Sequence, residues 1–515
     1  MLLNSYEFIF VFLPAVWSGY QLLIRYRPQL AIWWLSLASL IFYGYWNVAW
    51  LPILVGSTLV NYAIASALSS MADGGRRRTH LLVAGLAFNL LLLGYFKYTN
   101  FLVDNLNAAT GWALFVERIV LPIGISFITF QKIALLIDSY RGLAGRFDFS
   151  RFVLFVTFFP QLIAGPIVHY KEMMPQFAHL GREKLASKLA VGLTIFSIGL
   201  FKKVVIADGA APFADELFEG AAAGASPALL ESWIGAVAYG FQIYFDFSAY
   251  SDMAIGLAWI FGIRLPVNFA SPYKATSIAD FWRRWHITLS RFLRDYLYIP
   301  LGGNRRGRGR TYVNILATML LGGIWHGAGW TFLLWGAMHG CFLVVHRLWR
   351  EWRGAPANPR HAWPARLLTF LCVTLAWVPF RAPDLGSMLE VYRGMFGFNG
   401  VTLPDALSPI AALAPGLFAA LGAEIGPLAF SDGRPNALLL VSLFVVIWAL
   451  PNTHQWIGRA SPGLPTEGYP ATERTKPRYR MAWHPSLAHG LPVAMLLFVG
   501  ILRINDESPF LYFQF

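Results

Sequence analysis

Charge is what this chain has least of. Asp, Glu, Lys and Arg make up 13% of its 515 residues, about half the ~25% of an ordinary soluble domain. So few charges leave little to clothe a water-facing surface, and a soluble globular enzyme is excluded. Cysteine is nearly missing as well. Cys341 and Cys372, both in apolar surroundings, can build neither a disulfide framework nor a Cys-based metal site. The motifs G-x-x-x-x-G-K-[ST], H-E-x-x-H and G-x-S-x-G do not occur, which removes P-loop nucleotide hydrolysis, the zinc peptidase helix and the hydrolase nucleophile elbow. There is no 20- to 50-residue repeat and no separate soluble domain. The opening "MLLNSYEFIFVFLPAVW" has no Lys or Arg before its apolar run and no small-x-small cleavage site. A retained first helix or interfacial anchor is therefore expected, rather than a removable signal peptide.

What the chain does have is hydrocarbon. Hydrophobic residues make up 57% and mean hydropathy is +0.51. The apolar residues come in runs such as "LAIWWLSLASLIFYGYW", "LLVAGLAFNLLLLGYF", "NALLLVSLFVVIWAL" and "LPVAMLLFVGIL". A crossing helix needs about 20 mainly apolar residues, so the chain reads as an all-α polytopic membrane protein with about eleven to thirteen transmembrane or re-entrant helices. Residues 1–515 read as one membrane domain. Continuous runs exclude a β-barrel, whose strands alternate. The formal charge of +14 needs no nucleic acid, because Lys and Arg collect in cytoplasmic loops and set orientation.

Arg25, Arg27 and "GGRRRTH" (residues 74–80) mark cytoplasmic turns two spans apart, with the N-terminus outside. The two prolines and glycine of "FFPQLIAGPIVHYKEM" predict a broken or re-entrant segment. Residues 264–310 hold ten Lys or Arg against Asp280 and Asp295, a net of +8. Within them "SIADFWRRWHITLSRFLRDYLY" has the spacing of an amphipathic helix. Phe281, Trp285, Thr288, Phe292 and Leu293 form one face, and Arg283, Arg284, Arg291 and Arg294 supply the other. Such a helix is expected in the cytoplasmic interface with its arginines among headgroups, followed by the basic loop "PLGGNRRGRGR". Residues 451–485 read as an irregular polar connector with no core of its own.

One span carries an imidazole. His326, in "GGIWHGAGW", lies fifteen residues after Thr311, roughly 22 Å along a straight helix and inside the hydrocarbon slab. A lone buried His is more often bonded to a neighbouring helix than engaged in chemistry. Two features favour chemistry: Gly322, Gly323, Gly327 and Gly329 leave room for another group, and His serves as a base near neutral pH. His339 is a second candidate, although Gly327 and Gly329 should end one helix between the two. With His346 there are three histidines but no carboxylate or Cys at ligand spacing, so no metal is expected. Asp246 and Asp252, in "IYFDFSAYSDMAIG", would be costly in lipid and should face the protein interior, where an Arg or Tyr could pair with them. His286 reads from the residues alone as part of the interfacial helix.

The stretches "YFDFSAYSDMAIG", "FWRRWHITLSRFLRDYLYIPLGGNR" and "LGGIWHGAGWTFLLWGAMHG" resemble the membrane-bound O-acyltransferase family, and within it the bacterial branch of alginate and exopolysaccharide O-acetylation. "LPIGISFITFQKIALLIDSYRG", "FFPQLIAGPIVHYKEM" and the ending "SPFLYFQF" are also similar, and the likeness is weakest over residues 354–485. The resemblance implies a ring of tilted helices around a thinned centre, with a tunnel leading to the histidine. It places the family's near-invariant histidine on His326, the second polar position on His286 and a further histidine of the bacterial branch on His339, while Asp246 and Asp252 stand beside them as candidate supports from the residue reading. It further implies acetyl-CoA as donor substrate and no resident cofactor. The phosphates of the donor would suit Arg283, Arg284, Arg305, Arg306 and Arg308. His326 would act as general base or briefly carry the acetyl group. The partners implied are periplasmic acetyltransferase or acetyl-carrier proteins of a polysaccharide complex, with the protein in the bacterial inner membrane. D-alanyl transfer to an envelope polymer, a pure transporter and a non-catalytic scaffold of an export complex are the alternatives.

Overall fold

A backbone inside a bilayer must satisfy its own N–H and C=O groups, so long apolar runs become helices. The structure is a computed structural model that describes residues 1–71, 75–145, 147–181, 184–354, 362–404, 408–413, 416, 422–426, 437–464, 483–504 and 510–511. Strand structure among them is a short parallel pair, Val401–Leu403 with Ala423–Ile425, and an isolated bridge between Pro266 and Leu464. Six described helices are long and apolar enough to cross a membrane: Glu7–Tyr26, Val48–Ser70, Arg76–Thr110, Leu185–Ala222, Trp330–Arg353 and Ala362–Arg381. Pro28–Gly44, Leu438–Ala449 and Leu487–Leu502 are shorter apolar helices.

The elements that build the interior are α1 (Arg76–Thr110), α2 (Ile125–Tyr140), α3 (Leu185–Phe201) and α4 (Leu229–Ile260). They are followed by α5 (Ile278–Trp282), α6 (Ile287–Leu293), α7 (Gly307–His326), α8 (Trp330–Arg353) and α9 (Ala362–Arg381). α4 is buried without a break from Ala238 to Ile260. Surrounded by protein rather than lipid, it can carry Asp246 and Asp252. Small residues let α3 reach its backbone: a Cβ on Gly192 would lie 2.7 Å from the Gly256 carbonyl oxygen, and one on Gly256 2.5 Å from that of Gly192.

Two ends of the molecule can be told apart by contacts. At one, the start of α1 meets the end of α2, where Arg78 donates to the Ser139 carbonyl at 3.2 Å. Arg141 lies 5.5 Å from the Tyr296 ring there. At the other, the Tyr43 hydroxyl donates to Ile123 O at 3.1 Å and the Trp330 indole to Asn105 Oδ1 at 2.9 Å. Residues 158–169 are the expected broken segment: a four-residue helix, Phe159–Leu162, then irregular chain, all buried. Side chains replace its missing helical bonds. Ser39 Oγ accepts from Phe159 N at 3.0 Å and Thr288 Oγ1 from Ile167 N at 3.0 Å.

Two expectations are corrected. Residues 277–298 are not one interfacial helix: α5 ends at Trp282, the chain turns, His286 sits at φ 42°, and α6 begins at Ile287. Of the four arginines assigned to headgroups, Arg284 and Arg291 are buried against protein. Arg284 bonds Asp280 and the Ala270 carbonyl, each at 3.1 Å, and Arg291 holds Glu172 through two bonds of 2.5 and 3.0 Å. Helical spacing could not foresee this, because protein carboxylates can stand in for phosphates. Nor is the start of the 451–485 segment a free connector. Thr453 and His454 are buried and bond Asp252 at 2.6 and 3.3 Å, while residues 465–482 lie outside the described residues.

Candidate active site

α7 leaves the basic loop at Gly307 and ends on His326, where Gly327 turns the chain into an extended link and α8 starts at Trp330. The two helices then run back along each other at backbone distance. A Cβ on Gly336 would lie 2.5 Å from the Met319 carbonyl oxygen, and one on Gly323 3.2 Å from Gly336 Cα. That closeness brings Trp335 beneath the His326 ring, centroids 4.9 Å apart. Phe380 of α9 stands 5.2 Å away and Trp325 4.8 Å.

His286, His326 and His339, the three histidines to which the resemblance gives roles, meet in one aromatic cluster, each parted from the next by an indole. His286 lies 6.3 Å from Trp325, which touches His326; Trp335 touches both His326 and His339, the latter at 4.9 Å. Their surroundings differ. His326 helps to wall a cavity of about 70 Å³, whose other lining includes Lys97, Ser126, Trp46, Trp50 and Trp325. His286 and His339 do not line it. His339 is fully buried, its Nδ1 accepting from Trp282 Nε1 at 3.3 Å.

His286 is oriented by a residue the sequence reading missed. Asn268 Oδ1 accepts from the Thr288 backbone N–H at 3.2 Å and from Thr288 Oγ1 at 2.9 Å. A backbone N–H can only donate, which fixes which amide atom is oxygen. The Nδ1 of His286, 3.2 Å from that oxygen, is then the donor. Its Nε2 is left as the lone-pair nitrogen of a ring that packs among Phe127, Phe247 and Trp325. Nothing in "RLPVNFASPYK" marks Asn268, since its role depends on a chain reversal twenty residues later.

Lys97 was missed too, although it carried a signal: an ionisable side chain inside an apolar span points to function by default. Its Nζ donates to the carbonyls of Trp325 at 2.6 Å and His326 at 2.8 Å, with Ser126 Oγ at 3.4 Å.

The two aspartates face elsewhere, and their partners are lysines instead of the Arg or Tyr expected. Asp246 pairs with Lys203 at 2.9 Å and accepts from Leu511 N at 3.1 Å. Asp252 pairs with Lys202 at 2.9 Å besides Thr453 and His454. They tie α4 to the segment after α3 and to residues 453–454, and make no contact with the histidine cluster. Among the arginines, Arg284 is committed as described, and Arg283 is largely exposed with Asp280 at 3.5 Å. Arg305, Arg306 and Arg308 are exposed on the loop and first turn that lead into α7, Arg308 lying 3.7 Å from Glu351. Among the described residues no group of three His, Cys, Asp or Glu is placed to hold a metal ion.

Residues 39–379 match the model of the membrane-bound O-acyltransferase family. The chain is 48% identical over 436 residues to a peptidoglycan O-acetyltransferase of Helicobacter pylori, covering 78% of this chain and 81% of that protein. It is 39% identical over 535 residues to a probable alginate O-acetylase of Azotobacter vinelandii, covering all of both. A teichoic acid D-alanyltransferase of Streptococcus thermophilus is 27% identical over 280 residues, 50% of this chain and 68% of that protein.

Proposed function

The chain belongs to the membrane-bound O-acyltransferase family, and on that premise we propose that it moves acetyl groups from cytoplasmic acetyl-CoA across the bacterial inner membrane for O-acetylation of an envelope or exported glycan. The protein is a multi-pass membrane acyltransferase. Relatives similar over most of the chain are named for acetyl transfer to peptidoglycan and to alginate, both glycans outside the cytoplasm. The D-alanyltransferase likeness is lower and covers half the chain, which favours acetyl over D-alanyl. The reading includes periplasmic acetyltransferase or acetyl-carrier partners as the acceptors of the acetyl group or its carriers to the polymer.

The observation that carries the reading is the imidazole of His326 in the wall of a cavity, at a helix end deep in the protein. As general base it takes the proton of an acceptor hydroxyl while that oxygen attacks the thioester carbonyl. The C–S bond breaks, and the departing CoA thiolate takes the proton. His286, across Trp325 from His326, is the second polar position of the cluster, and His339, behind Trp335, supports it.

His326→Ala should lower polymer-bound acetate in cells at least ~10²-fold, the loss expected for a general base, with normal protein level and thermal midpoint. His339→Ala should keep more activity, because its ring does not line the cavity. Near-normal acetate from a stable His326→Ala protein overturns the assignment. For the donor, Arg305→Gln, Arg306→Gln and Arg308→Gln together should raise the apparent KM for acetyl-CoA in inside-out vesicles and spare kcat, as loss of uniform binding does. An unchanged KM removes these arginines from donor binding.

A further inference from the structure

The last carbonyls of a helix have no partner within it, and buried ones must find donors elsewhere. α7 ends on His326 inside the protein, and its last three carbonyls are met by two consecutive residues of α1. The Tyr98 hydroxyl donates to Ile324 O at 2.8 Å, and Lys97 Nζ donates to Trp325 O at 2.6 Å and His326 O at 2.8 Å. Lys97 is 8% exposed and lines the same cavity as the imidazole.

A neutral cap would satisfy two carbonyls without placing a lysine in the bilayer, where it is costly. What the side-chain nitrogen adds is one atom that grips the carbonyl of His326 and that of the residue before it, fixing the backbone from which the ring projects. Ser126, at the first turn of α2 and 3.4 Å from Nζ, makes the third contact, so α1, α2 and α7 meet on a single nitrogen.

We propose that Lys97 is a positioning residue for acyl transfer: with Tyr98 it clamps the end of α7 and holds the His326 imidazole against the cavity. The proposal rests on the assignment of His326 as the base. A misplacement of about 1 Å can cost on the order of 10²-fold in rate without touching substrate affinity. Loss of the clamp should therefore fall on kcat.

The test uses inside-out membrane vesicles of the host, labelled acetyl-CoA as the probe, and the rate of label entering polymer per unit of transferase. Lys97→Met should lower kcat by about 10²-fold and leave the apparent KM for acetyl-CoA within about threefold. Lys97→Arg, which keeps N–H donors on a long side chain, should recover at least a tenth of the wild-type rate. Tyr98→Phe, which removes one neutral bond and keeps the ring, should cost about threefold to tenfold and gives a readout if Lys97→Met fails to accumulate. Near-normal kcat in Lys97→Met, or Lys97→Arg no better than Lys97→Met in equally stable proteins, overturns the proposal. So does full activity in Tyr98→Phe when Lys97→Met does not accumulate. His326→Ala run alongside separates the two claims: an active His326→Ala protein refutes the catalytic assignment, whereas an inactive one beside an active Lys97→Met protein refutes only the clamp.

Discussion

At the scale of single residues, the site is made of hydrogen bonds that select among states a side chain could otherwise adopt. Asn268 is the clearest case, since the Thr288 backbone donor fixes its amide and the amide then fixes the tautomer of His286. Partners that orient metal-bound imidazoles typically matter 10- to 100-fold, and the same order is expected for one that orients a catalytic imidazole. Asn268→Ala should therefore lower acetyl transfer by about 10- to 100-fold at normal protein level, and Asn268→Asp, which keeps an acceptor, should lower it less. Equal loss in both, with intact thermal midpoints, would mean that the amide does more than accept. His326 and His339 were legible because imidazoles are rare in apolar runs, whereas His286 stood out only through the family resemblance. Asn268 was not, because an asparagine in a loop is ordinary until its neighbours in space are known.

At the scale of elements, the approach of α7 to α8 depends on Gly323 and Gly336, which let carbonyl and Cα meet where any side chain would intrude. Overpacking at such a contact costs about 1–3 kcal/mol. Gly336→Val should push the helices apart, lower the thermal midpoint by a few degrees and reduce acetyl transfer by moving the His326 end. Unchanged melting in the purified protein would show that the helices do not depend on the glycine pair. Residues 277–298 hold the opposite lesson. Their period of hydrophobic and basic residues is that of a surface helix, yet Asp280 and Glu172 receive Arg284 and Arg291 inside the fold. Periodicity reports that two faces differ; it does not report whether water, headgroups or a carboxylate will cover the polar one.

At the scale of the whole molecule, the basic loop before α7 and the cavity at its far end are separated by the length of that helix, twenty residues from Gly307 to His326, about 30 Å. In the orientation proposed above, with the excess of Lys and Arg facing the cytoplasm, His326 would lie towards the opposite side, where an acceptor would arrive. Orientation can be tested by Asn304→Cys in a Cys341→Ser, Cys372→Ser background. An impermeant maleimide should label it only after the inner membrane is opened. Labelling in intact spheroplasts would invert the topology and with it the donor side.

The sequence by itself determined the class of this protein, its helical content and the histidines worth examining. Those follow from hydrophobic content, run length and the cost of polar groups in hydrocarbon, all of which are local sums. Only the tertiary structure decided that Asp246 and Asp252 pair with Lys203 and Lys202, away from the histidines. It also decided that Arg284 and Arg291 are buried, and that Lys97 closes the end of a helix more than two hundred residues away in sequence. A buried charge or carbonyl must find a partner, but composition and spacing state only the need. Which partner meets it depends on helices that are distant in sequence and brought together by the packing of backbone against backbone.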